Sequence, residues 1–330
     1  MQFLSQIWQF DPYAPSLPAA LIIYVCALFF LLAGLCGQML GMSADILHSP
    51  KQRTFHEKYA LQVSESALCS LGIAALALAA ASGFLPRPLP FPADGAPLLG
   101  APNFKFLVLP GLLVIFLFFF LIQIAVRSRS RWLRLFRLGC AVCASFAALL
   151  LVILGLLFFL YLPEPEIALL LDADPGQTLV EMLCSFALTA EYRPAPLYLI
   201  CTGLAAAASL GRVWLIWRRN KADFGRDYYL FAMRRLSRAA LFLVFAASAA
   251  GIWLFFSLAA CTAPELRQPA DPLLVLPAAG LPLLCCILQL FPALAENPMR
   301  HKANAFAASI LLLTAFCAQL LLLFNSYPAA

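Results

Sequence analysis

The residues in this sequence that could carry chemistry are histidines, cysteines and a few charged residues in or beside apolar stretches. The three histidines, His48, His56 and His301, all fall between the apolar stretches, in predicted loops. A haem held within a membrane usually takes axial ligands such as histidine from the spans themselves, so we expect no haem. A metal site formed by the three histidines would need them to converge; we expect no metal site, and the histidine site is kept only as an alternative.

Most of the 11 cysteines lie inside apolar stretches, where a free cysteine behaves as a small hydrophobic side chain. The C-x-x-C pair of Cys140 and Cys143 is of this kind, and we expect no covalently bound cofactor. Cys184 and Cys261 are predicted to lie on the outer side of a membrane, where an oxidising compartment would allow them to pair. The sequence leaves that pairing open.

Glu65, in the stretch QVSESAL, is an acidic residue near one end of an apolar stretch. Ionisable groups at membrane depth are costly and usually have a partner. Two interpretations stay open for this residue. It is either a carboxylate that serves proton or quinone chemistry, or a structural group that forms an ion pair or extends to the membrane interface.

The elements that must position these residues are apolar stretches long enough to cross a bilayer. Hydrophobic residues make up 63% of the 330 residues and charged residues 12%, against about a quarter charged in soluble domains. Each stretch has roughly the 20 residues that a spanning helix needs. The eight predicted spans are 18–42, 64–85, 106–126, 138–162, 196–217, 239–260, 272–295 and 303–325. The sequence therefore predicts an all-α, polytopic protein with eight transmembrane helices in a lipid bilayer.

Basic residues are distributed unevenly between the predicted loops. Of the 22 lysines and arginines, 18 fall in or beside the loops that follow the odd-numbered spans, and the largest group runs from Arg212 to Arg238. Because basic loops stay in the cytoplasm, we expect an inner (plasma) membrane protein with both termini outside, in the periplasm of a Gram-negative cell. The net charge of +6 then reflects topology, and the arginine-rich loops need no nucleic-acid partner.

Two blocks of the sequence repeat in the same order. RTFHEKYAL at 53–61 resembles ADFGRDYYL at 222–230, and LVLP follows at 107–110 and again at 274–277. Each copy covers four spans, so both copies cross the membrane in the same direction, as parallel repeats do. The predicted domains are a first four-helix bundle at 1–162, an outer connecting loop with a candidate interfacial helix at 163–195, and a second four-helix bundle at 196–330.

The repeat also matches individual residues between the two bundles. Aligning Phe55 with Phe224 places Glu65 opposite Arg234, so the two are predicted to form an ion pair between the bundles. The LVLP segments match Pro110 with Pro277. Matching prolines in two halves can mark the broken helices of a transporter site, or they can simply open both helices at the membrane face.

The N-terminal segment FDPYAPSLPAALIIYVCALFFLLAG, at 10–34, leads from aromatic and acidic residues through prolines into a tyrosine-bearing first span. In this segment and in the eight-span layout, the chain resembles the membrane anchors of bacterial molybdenum and iron-sulfur oxidoreductases. These are the polysulfide-reductase and NrfD-type nitrite-reductase subunits and the DMSO reductase anchor. The resemblance implies a haem-free, non-catalytic subunit that works with an iron-sulfur subunit and further subunits of a respiratory complex, and exchanges electrons with membrane quinone.

The same resemblance implies a quinone site near the outer end of the first bundle. The candidate residues at that face are Tyr24, Arg87, Asn103 and Lys105, whose donors suit the carbonyl oxygens of menaquinone or ubiquinone. Arg87 and Lys105 would stabilise the charge of a reduced quinone where water is excluded, or else only extend to lipid headgroups. A transporter built on the same repeat and a structural membrane subunit without a ligand are the alternative functions.

Overall fold

The computed structural model describes residues 16–46, 53–84, 194–219, 221, 224–261 and 272–326, and every regular element in this part of the chain is helical. The six α-helices there are α1 (Ser16–Ile46), α2 (Arg53–Phe84), α3 (Pro194–Arg219), α4 (Arg226–Cys261), α5 (Pro272–Leu294) and α6 (Lys302–Ser326), with a 3₁₀ turn at Pro298–His301. The predicted all-α class is confirmed for these residues. The predicted spans at 106–126 and 138–162 lie outside them, so the count of eight and the repeat stay predictions.

Five of the described helices are long and apolar enough to cross a membrane. These candidate spans are Thr54–Ala77, Pro194–Arg219, Arg226–Ser257, Val275–Leu294 and Pro298–Leu322. α1 contains a shorter apolar segment, Val25–Gly41. The chain therefore has the helices of a multi-pass membrane protein, as its composition predicts.

α2 and α4 begin at Arg53 and Arg226, well before the predicted spans 64–85 and 239–260. The additional turns contain lysine, glutamate, arginine, alanine and leucine, which all favour helix. A search for apolar stretches misses such turns because they carry charges. α4 starts directly after Gly225, whose φ of +88° is a conformation that glycine adopts without steric strain. The first repeated block therefore forms the beginning of α2, and the second leads into the beginning of α4.

α3 lies at the centre of the described helices, in contact with α1, α2, α4 and α6. Its buried face consists largely of small residues, Ala205, Ala206, Ala207, Ala208, Ser209 and Gly211. A Cβ atom at Gly203 would lie only 2.6 Å from the Sγ of Cys36 on α1, so no larger residue fits there without movement. Small residues allow this close approach of backbones in lipid, where packing rather than the hydrophobic effect holds helices together.

α4 and α5 present a broad apolar surface outward. Phe242 is 70% exposed and Phe256 66% on α4, and Leu276 is 76% exposed on α5. The surface of a soluble monomer rarely carries contiguous apolar patches larger than a few hundred Å². This face is suited to contact with lipid.

α5 runs as one helix through three prolines, Pro277, Pro282 and Pro292. Because proline has no N–H, Pro282 cannot bond to the carbonyl of Ala278 four residues earlier. Gln319 of α6 donates its Nε2 to that carbonyl at 3.2 Å, and Tyr198 of α3 donates its hydroxyl to Gln319 Oε1 at 2.8 Å. These three groups, termed the Tyr198 network, tie α3, α5 and α6 together and satisfy the freed carbonyl, as lipid surroundings require.

Candidate functional site

Arg212 of α3 is fully buried, with 0% of its surface exposed. None of its three guanidinium nitrogens has a hydrogen-bond partner among the residues that the structure describes. It lies seven residues before Arg219, the last residue of α3, which corresponds to about 10 Å along the helix axis. A charged group is thus held inside the bundle, away from the helix end.

Polar side chains of α3 and α5 lie around Arg212. Ser209, one helical turn earlier on α3, accepts a 3.1 Å hydrogen bond from Nε2 of Gln289 on α5. The same Nε2 lies 3.8 Å from Sγ of Cys285, and Cys285 lies in the neighbourhood of Arg212. Gln289 is fully buried as well, and its Oε1 has no hydrogen-bond partner in the described part of the chain. These four residues are termed the Arg212 cluster.

The Arg212 cluster has an excess of hydrogen-bond donors. Arginine carries five N–H donors and no acceptor, and within the described residues Oε1 of Gln289 is the cluster's one side-chain acceptor without a partner. A buried charge without compensation costs several kcal/mol. The arrangement is therefore suited to a group that brings acceptor oxygens, such as a carbonyl, a carboxylate or a phosphate.

The two repeated sequence blocks contact each other where α2 and α4 begin. Tyr228 of the second block donates its hydroxyl to Oε1 of Gln62 at 2.8 Å, and its ring centroid lies 5.9 Å from that of Phe55. Tyr59, which matches Tyr228 in the repeat, lies 6.4 Å from Phe231, which matches Gln62. The contact from Tyr228 to Gln62 and the one from Tyr59 to Phe231 involve the same two positions of the aligned blocks, while the repeat itself stays a prediction.

His56 lies in the first turn of α2 and is 4% exposed, so the prediction that it lies in a loop is wrong. The reason is that α2 begins at Arg53, before the apolar stretch. The Nδ1 of His56 lies 3.2 Å from Nη1 of Arg235. His301, in the 3₁₀ turn, stacks on Phe291 with ring centroids 6.5 Å apart. Within the described residues, no three His, Cys, Asp or Glu side chains come together as a metal site.

Glu65 and Arg234, the predicted pair between the bundles, are not brought together. Glu65 Oε1 lies 3.8 Å from Nη2 of Arg218 at the end of α3, whereas Arg234 donates its Nη2 to the carbonyl of Glu296 at 2.9 Å. The repeat alignment predicts a partner for Glu65 on α4. α2, which carries Glu65, packs more extensively against α3 than against α4. The arginine that reaches Glu65 therefore comes from α3.

The side chains of the predicted quinone residues lie outside what the structure describes. Tyr24 belongs to α1, but only its backbone position is described. Arg87, Asn103 and Lys105 fall between the described ranges, as do His48, Cys140, Cys143 and Cys184. A quinone site at that end of the first bundle stays a prediction.

The charge pattern groups Arg212 with the basic residues in or beside the loop after the fifth predicted span, whereas the structure places its side chain inside the bundle. Its position follows the helical spacing of the buried face of α3, in which Ala205, Ala208, Arg212 and Leu215 recur every three or four residues. α5 offers a corresponding indication of a polar contact within the bundle, because Gln289 is the only amide side chain on this apolar helix. Helical periodicity in both segments would have located the Arg212 cluster.

No protein-family model, no curated protein and no solved structure matches this chain. The resemblance to redox-complex anchors therefore stays a prediction from layout and from the N-terminal segment. The geometry of the Arg212 cluster is the direct basis for a functional proposal.

Proposed function

We propose that this chain is an integral membrane subunit that anchors a bacterial respiratory redox complex and exchanges electrons with membrane quinone, and that the Arg212 cluster helps to hold the quinone. The observation that carries the proposal is the buried guanidinium of Arg212, which has no hydrogen-bond partner in the described part of the chain. The sequence resemblance to haem-free anchors gives the wider setting: an iron-sulfur partner supplies electrons, and the membrane supplies quinone.

A quinone fits the Arg212 cluster in three respects. It dissolves in the bilayer, so it can reach a site enclosed by apolar helices. Its carbonyl oxygens accept hydrogen bonds, whereas arginine only donates them. When two electrons and two protons convert quinone to quinol, negative charge develops on these oxygens, and a fixed positive charge in a water-poor site stabilises it strongly.

The alternative of a transporter receives less support. A broken-helix transporter site offers unpaired backbone carbonyls to its substrate. In α5 the carbonyl freed by Pro282 already accepts a hydrogen bond from Gln319, and the helix continues past it. A purely structural subunit is disfavoured by the Arg212 cluster, since a buried charge without a partner in the described part of the chain lowers stability with no compensating role.

We also propose an orientation, with both termini in the periplasm and the ends of α3 and α4 near Arg219 and Arg226 in the cytoplasm. The support is the concentration of basic residues at that end. Reporter fusions at Ser130 and Asn220 are expected to report the cytoplasm, and a fusion at Gly176 the periplasm. Reversal of any one of the three would contradict the eight-span topology.

The quinone proposal is tested by purifying the full chain from membranes and extracting its bound lipids. Wild-type protein is expected to retain menaquinone or ubiquinone in a fixed ratio to protein, and Arg212→Gln to lose it. Arg218→Gln is the matched control, because it removes the same charge from the same helix at a partly exposed position. The control is expected to keep the quinone.

Two outcomes would overturn parts of this proposal. A folded wild-type protein that retains no quinone, and binds no added short-chain ubiquinone, would rule out quinone as the ligand. Quinone retained equally by Arg212→Gln and wild type would remove Arg212 from the site and leave Tyr24, Arg87, Asn103 and Lys105 as the candidates.

A further inference from the structure

A cleft of ≈ 520 Å³ opens on the surface of α4 near its first turns. Its lining consists of Asp227, Leu230, Phe231, Arg234, Arg235 and Arg238. Three guanidinium groups and one carboxylate give this lining a net charge of +2. The cleft is therefore suited to an anion, and its leucine and phenylalanine suit an anion with a hydrocarbon part.

Two of the cleft arginines are held in position by contacts with other helices and turns. Arg234 donates its Nη2 to the carbonyl of Glu296. Arg235 lies beside His56 and over the ring of Tyr59, 5.4 Å from the ring centroid. Arg238 is exposed, one turn beyond Arg234. Guanidinium groups anchored in this way recognise phosphate oxygens through charge-assisted hydrogen bonds.

The exposed apolar face of α4 begins one turn beyond Arg238. Phe242, Phe245 and Phe256 on this face are each about two-thirds exposed or more. The segment from Arg238 to Phe256 is about 27 Å long, close to the roughly 30 Å of a bilayer's hydrocarbon core. With α4 crossing the membrane, Arg238 lies where the headgroup layer meets the hydrocarbon.

We propose that this cleft binds one anionic phospholipid of the adjacent leaflet. The phosphate lies between Arg234 and Arg238, and an acyl chain follows α4 along Phe242 and Phe245. A free phosphate ion offers the same oxygens, but it would make no use of the apolar face that starts beside Arg238. The site is separate from the Arg212 cluster, which is buried against α5, and it does not depend on the quinone proposal.

The test uses the full chain in detergent and measures the retention of dihexanoyl phosphatidylglycerol and dihexanoyl phosphatidylcholine by native mass spectrometry. Wild-type protein is expected to prefer the anionic lipid. Arg238→Gln is expected to weaken that preference about fivefold, the effect of one arginine near an anionic surface. Arg219→Gln removes a charge that is also exposed but lies outside the cleft, and it is expected to leave the preference unchanged.

A second comparison concerns the acyl chain. Phe242→Ala is expected to reduce retention of the anionic lipid, whereas Phe256→Ala, at the far end of the same face and similarly exposed, is not. Equal effects of Arg238→Gln and Arg219→Gln would overturn the proposal. Displacement of the lipid by an equal concentration of inorganic phosphate would also overturn it, because the site would then select a free anion.

Discussion

The Tyr198 network and the Arg212 cluster both connect α3 to α5, yet their hydrogen bonding differs. In the Tyr198 network the hydroxyl of Tyr198, both ends of the Gln319 amide and the carbonyl of Ala278 all take part in hydrogen bonds. In the Arg212 cluster the guanidinium has no partner in the described part of the chain. Within a membrane, a balanced set of donors and acceptors serves stability, while a surplus of one kind is suited to a ligand.

The strongest test of this comparison is removal of the residue at the centre of the Tyr198 network. Gln319→Leu removes the acceptor of the Tyr198 hydroxyl and the side-chain donor to the Ala278 carbonyl, so we expect the free energy of unfolding to fall by about 3 kcal/mol. Equilibrium unfolding in detergent micelles measures this change. Thr314→Val is the control on the same helix, since its hydroxyl bonds only to nearby backbone carbonyls and is exposed. If Gln319→Leu lowered the free energy of unfolding no more than Thr314→Val does, the Tyr198 network would have no structural role.

Replacing Arg212 by an apolar residue is expected to raise the free energy of unfolding rather than lower it. Arg212→Met replaces a buried charge that has no partner among the described residues by an apolar side chain of similar length, so the ligand-free protein should gain about 2 kcal/mol in unfolding free energy. Arg212→Lys keeps the charge and should give no such gain. If Arg212→Met instead destabilised the protein as strongly as Gln319→Leu, the comparison between the two regions would fail.

A smaller effect is expected from Tyr198→Phe. This change removes one donor to Gln319 Oε1 and leaves the bond from Gln319 to Ala278 in place, so the expected loss of unfolding free energy is about 1 kcal/mol. Because Tyr198 and Gln319 belong to one network, the double variant should lose less than the sum of the two single losses. Strict additivity would show that the hydroxyl and the amide act independently.

The smallest expected effect concerns Glu65, whose charge is only partly shielded from solvent. A double-mutant cycle with Glu65→Gln and Arg218→Gln should give a coupling of about 0.5 kcal/mol, typical of an exposed pair. The matched cycle with Arg234→Gln should show additive effects, because Arg234 bonds to the Glu296 carbonyl instead. Coupling to Arg234 that exceeds coupling to Arg218 would restore the pairing that the repeat register predicts.

The sequence predicts the helices more completely than their partners. The apolar stretches at 196–217, 272–295 and 303–325 match α3, α5 and α6 to within two residues at each end. α2 and α4 start much earlier than predicted because their first turns are charged. Which side chains meet across helices depends on how the helices pack, and no local pattern connects Glu65 with Arg218 or the Ala278 carbonyl with Gln319.

The hydrogen bond from Gln319 to the carbonyl of Ala278 also has a consequence for how the chain is inserted into the membrane. During synthesis α5 leaves the ribosome before α6, and at that stage the carbonyl freed by Pro282 has no donor from Gln319. An unpaired carbonyl facing lipid costs several kcal/mol, so α5 alone is a poor candidate for release from the translocon into the bilayer. α5 and α6 are therefore expected to leave the translocon together as a helical hairpin, with the amide of Gln319 already in place.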